Sequence, residues 1–239
     1  MPGARRFATT QWSLVLAAGD RGAAGGEEAL AQLCALYWFP VFAFVRRQGH
    51  AADEAEDLVQ GFFARLIEKG DLADADRSRG RFRSFLLASC QHYLHNARDR
   101  ARATKRGGGR PPIPFDVAEA EGRLARALAH EVTPERLYER QWGLTLMAAV
   151  LDDVRRHYGA TGRAVLFERL KEFLTGDDTV SYGAAASELA TSPGAVKVAV
   201  HRLRQRYRAA LKQRVADTLA TGEDVDDEMR YLLKVLAGV

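Results

Sequence analysis

Residues 105–116, KRGGGRPPIPFD, put three glycines and three prolines into a chain otherwise written in helical period. Proline has no backbone donor and clashes with the preceding turn, and glycine costs a helix interior about 1 kcal/mol against alanine. No helix crosses this stretch, so the fold must be assembled from helices on either side of a linker near 107–115. On both sides apolar residues recur at three-four spacing, and no sustained strand alternation lies between hairpin turns. The expected fold class is all-α, with two small helical domains joined by a Gly/Pro-rich linker. A chain of 239 residues with 47% hydrophobic side chains has ample material for two cores. The expected limits are a first domain over 1–106, a linker over 107–132, a second domain over 133–215 and an acidic extension over 216–239.

Stop and start signals place the helices. Thr10 can cap a short helix through Ala17, closed by Gly19. A very aromatic helix is expected over 27–48, ended by Gly49, with Pro40 dividing or kinking it. Residues 52–69, ADEAEDLVQGFFARLIEK, open on acids and close on a cation before Gly70, which suits the helix dipole. A long helix follows over 81–106, and the stretch up to His130 is expected to be partly helical. The second half opens at TPER, with Thr133 as cap and Pro134 in the first turn. Its helices are expected over 134–157, 162–174, 182–190, 193–220 and 225–237.

Charge is unevenly spread although the net value is only +4. Residues 195–214 hold seven Lys/Arg and no acid, while the tail from Ala216 holds six Asp/Glu against Arg230 and Lys234. Such a basic element beside an acidic tail suggests a polyanionic partner. Cys34 and Cys90 each sit in an apolar helical pattern with no His or Cys at ligand spacing, so buried reduced thiols are expected. The first residues carry too short an apolar run for a signal peptide, and no later segment approaches a membrane span, so the expected location is cytoplasmic. Enzyme chemistry is not legible. RGGGR follows a helix and precedes prolines instead of joining strand to helix, no Ser/His/Asp set is apparent, and HYLH lacks acidic companions for a metal. Neither a cofactor nor a metal is expected.

The stretch SYGAAASELATSPGAVKVAVHRLRQRYR has the layout of a helix-turn-helix. Its first helix is short and alanine-rich, which permits a close crossing. Ser192 can cap the second, with Pro193 set in its first turn. Val196, Val200, Leu203 and Tyr207 follow helical spacing toward a core. Lys197, His201, Arg202, Arg204, Gln205, Arg206 and Arg208 fall largely on the remaining surface. A solvated face would mix both signs, and this one does not. Entered by its N-terminus into a major groove, the helix can present Ser192, Gly194, Ala195, Lys197 and His201 near DNA, with later cations on phosphates.

In the first half, DEAEDLVQGFFARLIEK followed by GRFRSFLLASCQHYLHNARDRARATKR resembles region 2 of the extracytoplasmic-function sigma factors, promoter-recognition subunits of bacterial RNA polymerase. The nearest variant has a C-terminal extension of the DDE-x-R-x-LL type. The resemblance spans roughly residues 28–106 and 134–212, and it implies core RNA polymerase and promoter DNA as partners, with an anti-sigma protein as a further candidate. It implies polymerase docking through Glu56, Asp57, Leu58, Val59 and Gln60, to which the helix adds Phe63. It implies minus-ten recognition through the next helix, where Phe82, Phe85, Leu86, Asn96 and Asp99 fit the pattern, and minus-thirty-five recognition through SPGAVKVAVHRLR. Two departures stand out. Gly61 occupies a helix-favouring position, where it either loosens the helix or permits closer packing. Ala195 replaces a usual Thr, removing a hydroxyl.

The residues themselves support part of this. Capturing unstacked bases takes aromatics with cations. The loop 74–82 offers Arg77, Arg79 and Arg81 at the mouth of a helix that continues with His92, Asn96, Arg98, Arg100, Arg102, Lys105 and Arg106. Phe82 is expected at the DNA and Phe85 in the core. The tail reads as an amphipathic helix with Val225, Met229, Leu232, Leu233 and Leu236 on its apolar side, and its carboxylates are placed to shield the basic helix. The alternative reading is a helix-turn-helix regulator that never contacts polymerase. A helical protein-interaction module is disfavoured by the one-sided charge.

Overall fold

The computed structural model describes residues 26–69, 81–103, 117–127, 133–174, 181–219 and 223–238. Its architecture is all-α. The helices are α1 (Gly26–Arg47), α2 (Ala52–Lys69), α3 (Phe82–Ala103), α4 (Val117–Ala127), α5 (Pro134–Ala160), α6 (Ala164–Leu170), α7 (Tyr182–Glu188), α8 (Pro193–Ala216) and α9 (Val225–Ala237). A 3₁₀ turn, Lys171–Leu174, extends α6. The expected helix at 10–17, most of the loop 74–82 and the linker core at 107–115 lie outside the described residues. No described helix is long and apolar enough to cross a membrane.

The chain divides into two compact units, 1–144 with 216–239, and 145–215. This differs from the limits read from sequence. Residues 134–144 and the tail belong with the first half, because Leu137, Tyr138 and Trp142 of α5 are buried in that unit's core.

In the first unit α1 is the central element. Every residue from Tyr37 through Val45 is buried, as for a helix apolar all round and enclosed by neighbours. Pro40 lies inside this stretch, yet α1 runs on through Arg47 without dividing. A proline costs a helix interior about 3 kcal/mol, and enclosure of its neighbours on all sides offsets that cost here. Tyr37 meets Phe82 edge-on at 5.3 Å, Trp38 stacks on Phe42 at 5.0 Å, and Phe44 meets Tyr138 at 6.5 Å. The Arg46 guanidinium grips Glu121 of α4 bidentately, at 2.7 and 3.0 Å. That hydrogen bond holds the Glu121 carboxyl below its ordinary range. The pair's contribution is therefore present at neutral pH and lost as pH falls through that lowered value.

A buried charge cluster ties α3 to α9. Arg83 is 2% exposed and its Nη1 lies 2.6 Å from Glu228 Oε1, on a side chain with no exposure. Arg81 Nη1 approaches the other Glu228 oxygen at 2.8 Å, and its Nε donates to Glu223 at 2.8 Å. The Arg83–Glu228 separation is that of an ion pair, but the N–H directions miss the oxygens, so charge more than aligned hydrogen bonding joins them. The Arg83 guanidinium also lies over Trp142, 4.6 Å from the ring centroid, and Tyr138 donates to the Arg83 carbonyl at 3.0 Å.

Two carboxylates of the tail, Glu223 and Glu228, thus meet arginines at the start of α3. Helix α9 is capped by Asp224, which accepts from the amides of Asp226 and Asp227, and it closes on Gly238 in the left-handed region at φ 78. Glu228, Leu232 and Val235 are its buried residues, one face at i, i+4 and i+7. Leu236 packs where a side chain on Gly143 would sit, while Leu233, expected inside, is 59% exposed. The apolar side expected from sequence, Val225, Met229, Leu232, Leu233 and Leu236, is rotated from this buried face. The glutamate is in fact the inward residue.

The second unit has its own core of Val154, Tyr158, Phe167, Leu170, Phe173, Ala185, Ala186, Val196, Val200 and Leu203. Ser181 caps α7, accepting from the amides of Gly183 and Ala184, and Ser192 accepts from the Ala195 amide at 3.2 Å at the start of α8. The small residues Ala185 and Ala186 bring α7 against that core. The turn between them passes through Ala190 in the left-handed region, φ 48, where the Thr191 amide donates to Ala186 at 2.9 Å.

Removing one partner of the buried pair should be far costlier than removing both. Glu228→Ala is expected to destabilise the first unit by about 3–5 kcal/mol, with Arg83→Met plus Glu228→Leu recovering most of it. No tryptophan falls within 145–215, so urea unfolding followed by tryptophan fluorescence isolates the first unit. A loss below about 1 kcal/mol for Glu228→Ala would mean that water already solvates the cluster.

Candidate nucleic-acid interface

Helix α8 is organised by its buried stripe. Val196, Val200 and Leu203 are buried and Tyr207 is half-buried, its hydroxyl donating to the Met147 carbonyl at 3.2 Å. With about 100° of turn per residue, that stripe defines an outward line opposite it. Val198, Gln205 and, about 50° to one side, His201 fall on or near this line, and all three are exposed. Gly194 and Ala195 are exposed at the N-terminal end.

The flanks of α8 differ. Toward α7 stand Lys197, whose ammonium sits 5.7 Å from the Tyr182 ring centroid, and Arg204. Arg204 donates twice to the Phe173 carbonyl, Nε at 3.2 Å and Nη2 at 2.7 Å. It is exposed, as helical spacing predicts, but its guanidinium, expected on phosphate, already satisfies a carbonyl of the 3₁₀ turn. On the opposite flank, Arg202 and Arg206 face the C-terminal end of α5 and the turn after it, with His157 and Arg163. Val198 was not singled out from sequence. It is 50% exposed near the entering end of the helix. Its signal was present, since 198 falls opposite Val196, Val200 and Leu203 on a helical wheel, but an apolar residue attracts no notice beside so many cations.

The first unit carries the other candidate residues. On α2, Asp53, Glu54 and Asp57 are exposed, while Glu56, Leu58 and Gln60 are half-buried, with Gln60 donating to Glu56 at 3.0 Å. Val59 and Phe63 are buried at 0% and 2%, so they hold α2 in place and present no surface to a partner. A Cβ on Gly61 of α2 would collide with the Tyr93 hydroxyl of α3, so this glycine permits close packing there.

Along α3 the inward line is Phe82, Leu86, Cys90 and Leu94, with Arg83 turned to the tail. Phe82 is 1% exposed and Phe85 is partly exposed, the reverse of the expectation. The i, i+4 series that begins at 82 includes two further core positions before Leu94, and 85 falls beside it. Arg81, expected at DNA, is held by Glu223 and Glu228. His92 and Asn96 are exposed on α3. Arg77 and Arg79 lie outside the described residues, as do the side chains of Asp99 and Arg100.

Both thiols are free and buried, and burial pushes Cys34 up to about 11 and Cys90 to about 12, so they stay protonated and unreactive at neutral pH. The cavity beside Cys34 is apolar and, at about 10 Å³, no larger than a water needs. Among the described residues no three His, Cys, Asp or Glu side chains converge as metal ligands. No protein-family model, curated protein or solved structure matches the chain.

The Arg204 geometry separates a structural cation from free ones. Arg204→Ala should cost the second unit on the order of 1 kcal/mol and speed amide exchange over 167–174, because the Phe173 carbonyl loses two charge-assisted donors. Lys197→Ala should leave exchange there unchanged. Equal exchange in both variants would show that the Arg204 contact contributes nothing.

Proposed function

We propose that the chain directs bacterial RNA polymerase to promoters, acting as a sigma factor of the extracytoplasmic-function kind that its motifs resemble. The observation that carries this reading is α8. It is a helix anchored by one apolar stripe, entered through a Ser192-capped turn behind a short alanine-rich helix, with no carboxylate on any exposed position from 194 to 214. A surface of that kind fits a polyanion, and its width suits a major groove about 12 Å across.

In this reading the unit 145–215 reads the minus-thirty-five element. Lys197, His201 and Gln205 are placed for base edges, Val198 for a thymine methyl, and Arg202 and Arg206 for phosphates. The first unit supplies two further surfaces. Exposed Asp53, Glu54 and Asp57 on α2 make an acidic face that suits a basic docking surface on core polymerase. His92 and Asn96 on α3, with the partly exposed Phe85, are placed to meet minus-ten bases; Phe82 supports them from the core. Aromatics and cations hold unstacked bases by stacking and charge without needing a duplex. The working compartment is then the cytoplasm, and the partners are core polymerase and promoter DNA.

A helix-turn-helix regulator that acts without polymerase is the second reading. What favours the first is the acidic face of α2, for which a free-standing DNA-binding protein has no use. Asp57→Arg tests the two readings. It should weaken co-purification with core polymerase by about 1–3 kcal/mol, roughly 5- to 150-fold, while leaving duplex binding by the chain alone unchanged. Wild-type recovery with core enzyme would overturn the sigma reading and leave the regulator.

A further inference from the structure

Away from the exposed face of α8, cations of the second unit are matched by carboxylates. Arg155 pairs with Asp152 and Glu168, Arg156 and Arg214 with Asp153, Arg169 with Glu172 and Glu188, and Lys171 with Glu168. No ion pair joins Arg163, Arg202 or Arg206 to a described residue, which is equally true of Lys197, Arg204 and Arg208. Arg163, Arg202 and Arg206 line one groove of about 630 Å³ together with His157, Thr161 and Gln205. Ala209 and Ala210 also line it, and their small side chains leave it open.

Unmatched arginines at close quarters repel one another, and nothing in the groove relieves that repulsion. An anion would. The lining also restricts which anion fits. Tyr158, the ring at the groove, is only 8% exposed and turned against Phe167 at 5.7 Å, so it offers no face for stacking a base. Recognition would fall to guanidinium forks, an imidazole and an amide, all suited to phosphate oxygens; the Thr161 hydroxyl is already turned to the His157 and Tyr158 carbonyls. Arg202 and Arg206 are one helical turn apart, about 6 Å along α8, and Arg163 approaches from a different element, the turn between α5 and α6.

We infer that this groove is a phosphate-backbone clamp. It takes the sugar-phosphate strand bordering the major groove that α8 enters, with Arg163 as a cation contributed from outside the helix-turn-helix. The inference rests on the DNA-binding reading above and adds a division of labour to it. One flank and the outward line of α8 face bases, while the α5 flank, completed by Arg163, holds backbone. Arg163 makes the cleanest probe, because it is exposed and no described side chain depends on it.

The test uses the full chain, assembled with core polymerase where that complex forms and alone where it does not. Duplexes are selected from a random-sequence pool, and binding is measured to a selected and to a scrambled duplex from about 50 to 200 mM salt. Arg163→Ala and Arg202→Ala should weaken both duplexes by the same factor and make the log–log salt slope shallower by about 0.9 each. Arg163→Lys should restore most of the slope, since it keeps the charge. Lys197→Ala should instead weaken the selected duplex more than the scrambled one. If Lys197→Ala behaves so while both arginine variants match wild type in affinity and slope, the clamp is wrong and the DNA reading stands. An Arg163→Ala loss confined to the selected duplex also overturns the clamp, because backbone carries no sequence. If no variant changes binding to either duplex, the DNA reading fails and takes the clamp with it.

Discussion

An arginine and a glutamate taken out of water together leave a penalty of several kcal/mol on whichever is left alone, so each fixes where the other must be. In the first unit Arg83 and Glu228 are such a pair, and much else follows from it. Arg83 belongs to the first turn of α3, so the pair sets where α3 begins and which way it faces. Phe82 is then turned inward against Tyr37, and Arg81 is carried within reach of both Glu228 and Glu223. Glu228 belongs to the first turn of α9, so the same pair sets the rotation of the tail helix and buries Leu232 and Val235. The Trp142 ring under the guanidinium ties α5 into the arrangement. The tail is thus a structural part of the first unit, with Glu223 and Glu228 engaged by Arg81 and Arg83.

The second unit treats charge differently. Its core is apolar, and Arg155, Arg156, Arg169 and Arg214 each meet a carboxylate of a neighbouring turn or element. Surface pairs of that kind contribute little to stability, typically about 0–1 kcal/mol each. Their larger consequence is that they neutralise the faces that carry them. What is left positive is α8 with the groove beside it, so the positive potential is concentrated on one side by cancellation elsewhere. Arg204 shows why a list of cations does not describe such a surface. One member serves as a cap for a peptide carbonyl and is already engaged before any ligand arrives.

Local signals in the sequence located the helices well. Thr133 and Ser192 act as the caps their spacing to the following residues predicts, and Asp224 caps α9 in the same way. The acid-first, base-last pattern of 52–69 marks α2 at both ends. These features are legible because a cap and its amides lie within three residues of each other. The candidate surfaces were legible in part. Asp57, His92, Asn96, Lys197 and His201 are exposed, as helical spacing from the apolar stripes implies. Val59, Phe63 and Phe82 were assigned to surfaces and are buried, because membership of a motif does not say which face of the helix turns inward.

The sequence alone was enough for the all-α class, the starts of most described helices, the buried thiols and the one-signed character of residues 195–214, since each depends on composition or on spacing within a few residues. Tertiary structure decided which polar groups leave water and with whom. Arg81 and Glu223 are 142 residues apart, and no local pattern pairs them. It decided that α1 passes through Pro40, because the surrounding core and not the helix's own propensity holds that segment. It also decided which arginines remain unmatched. Whether a cation is free depends on every carboxylate the fold brings within about 4 Å of it, a distance that sequence order does not measure.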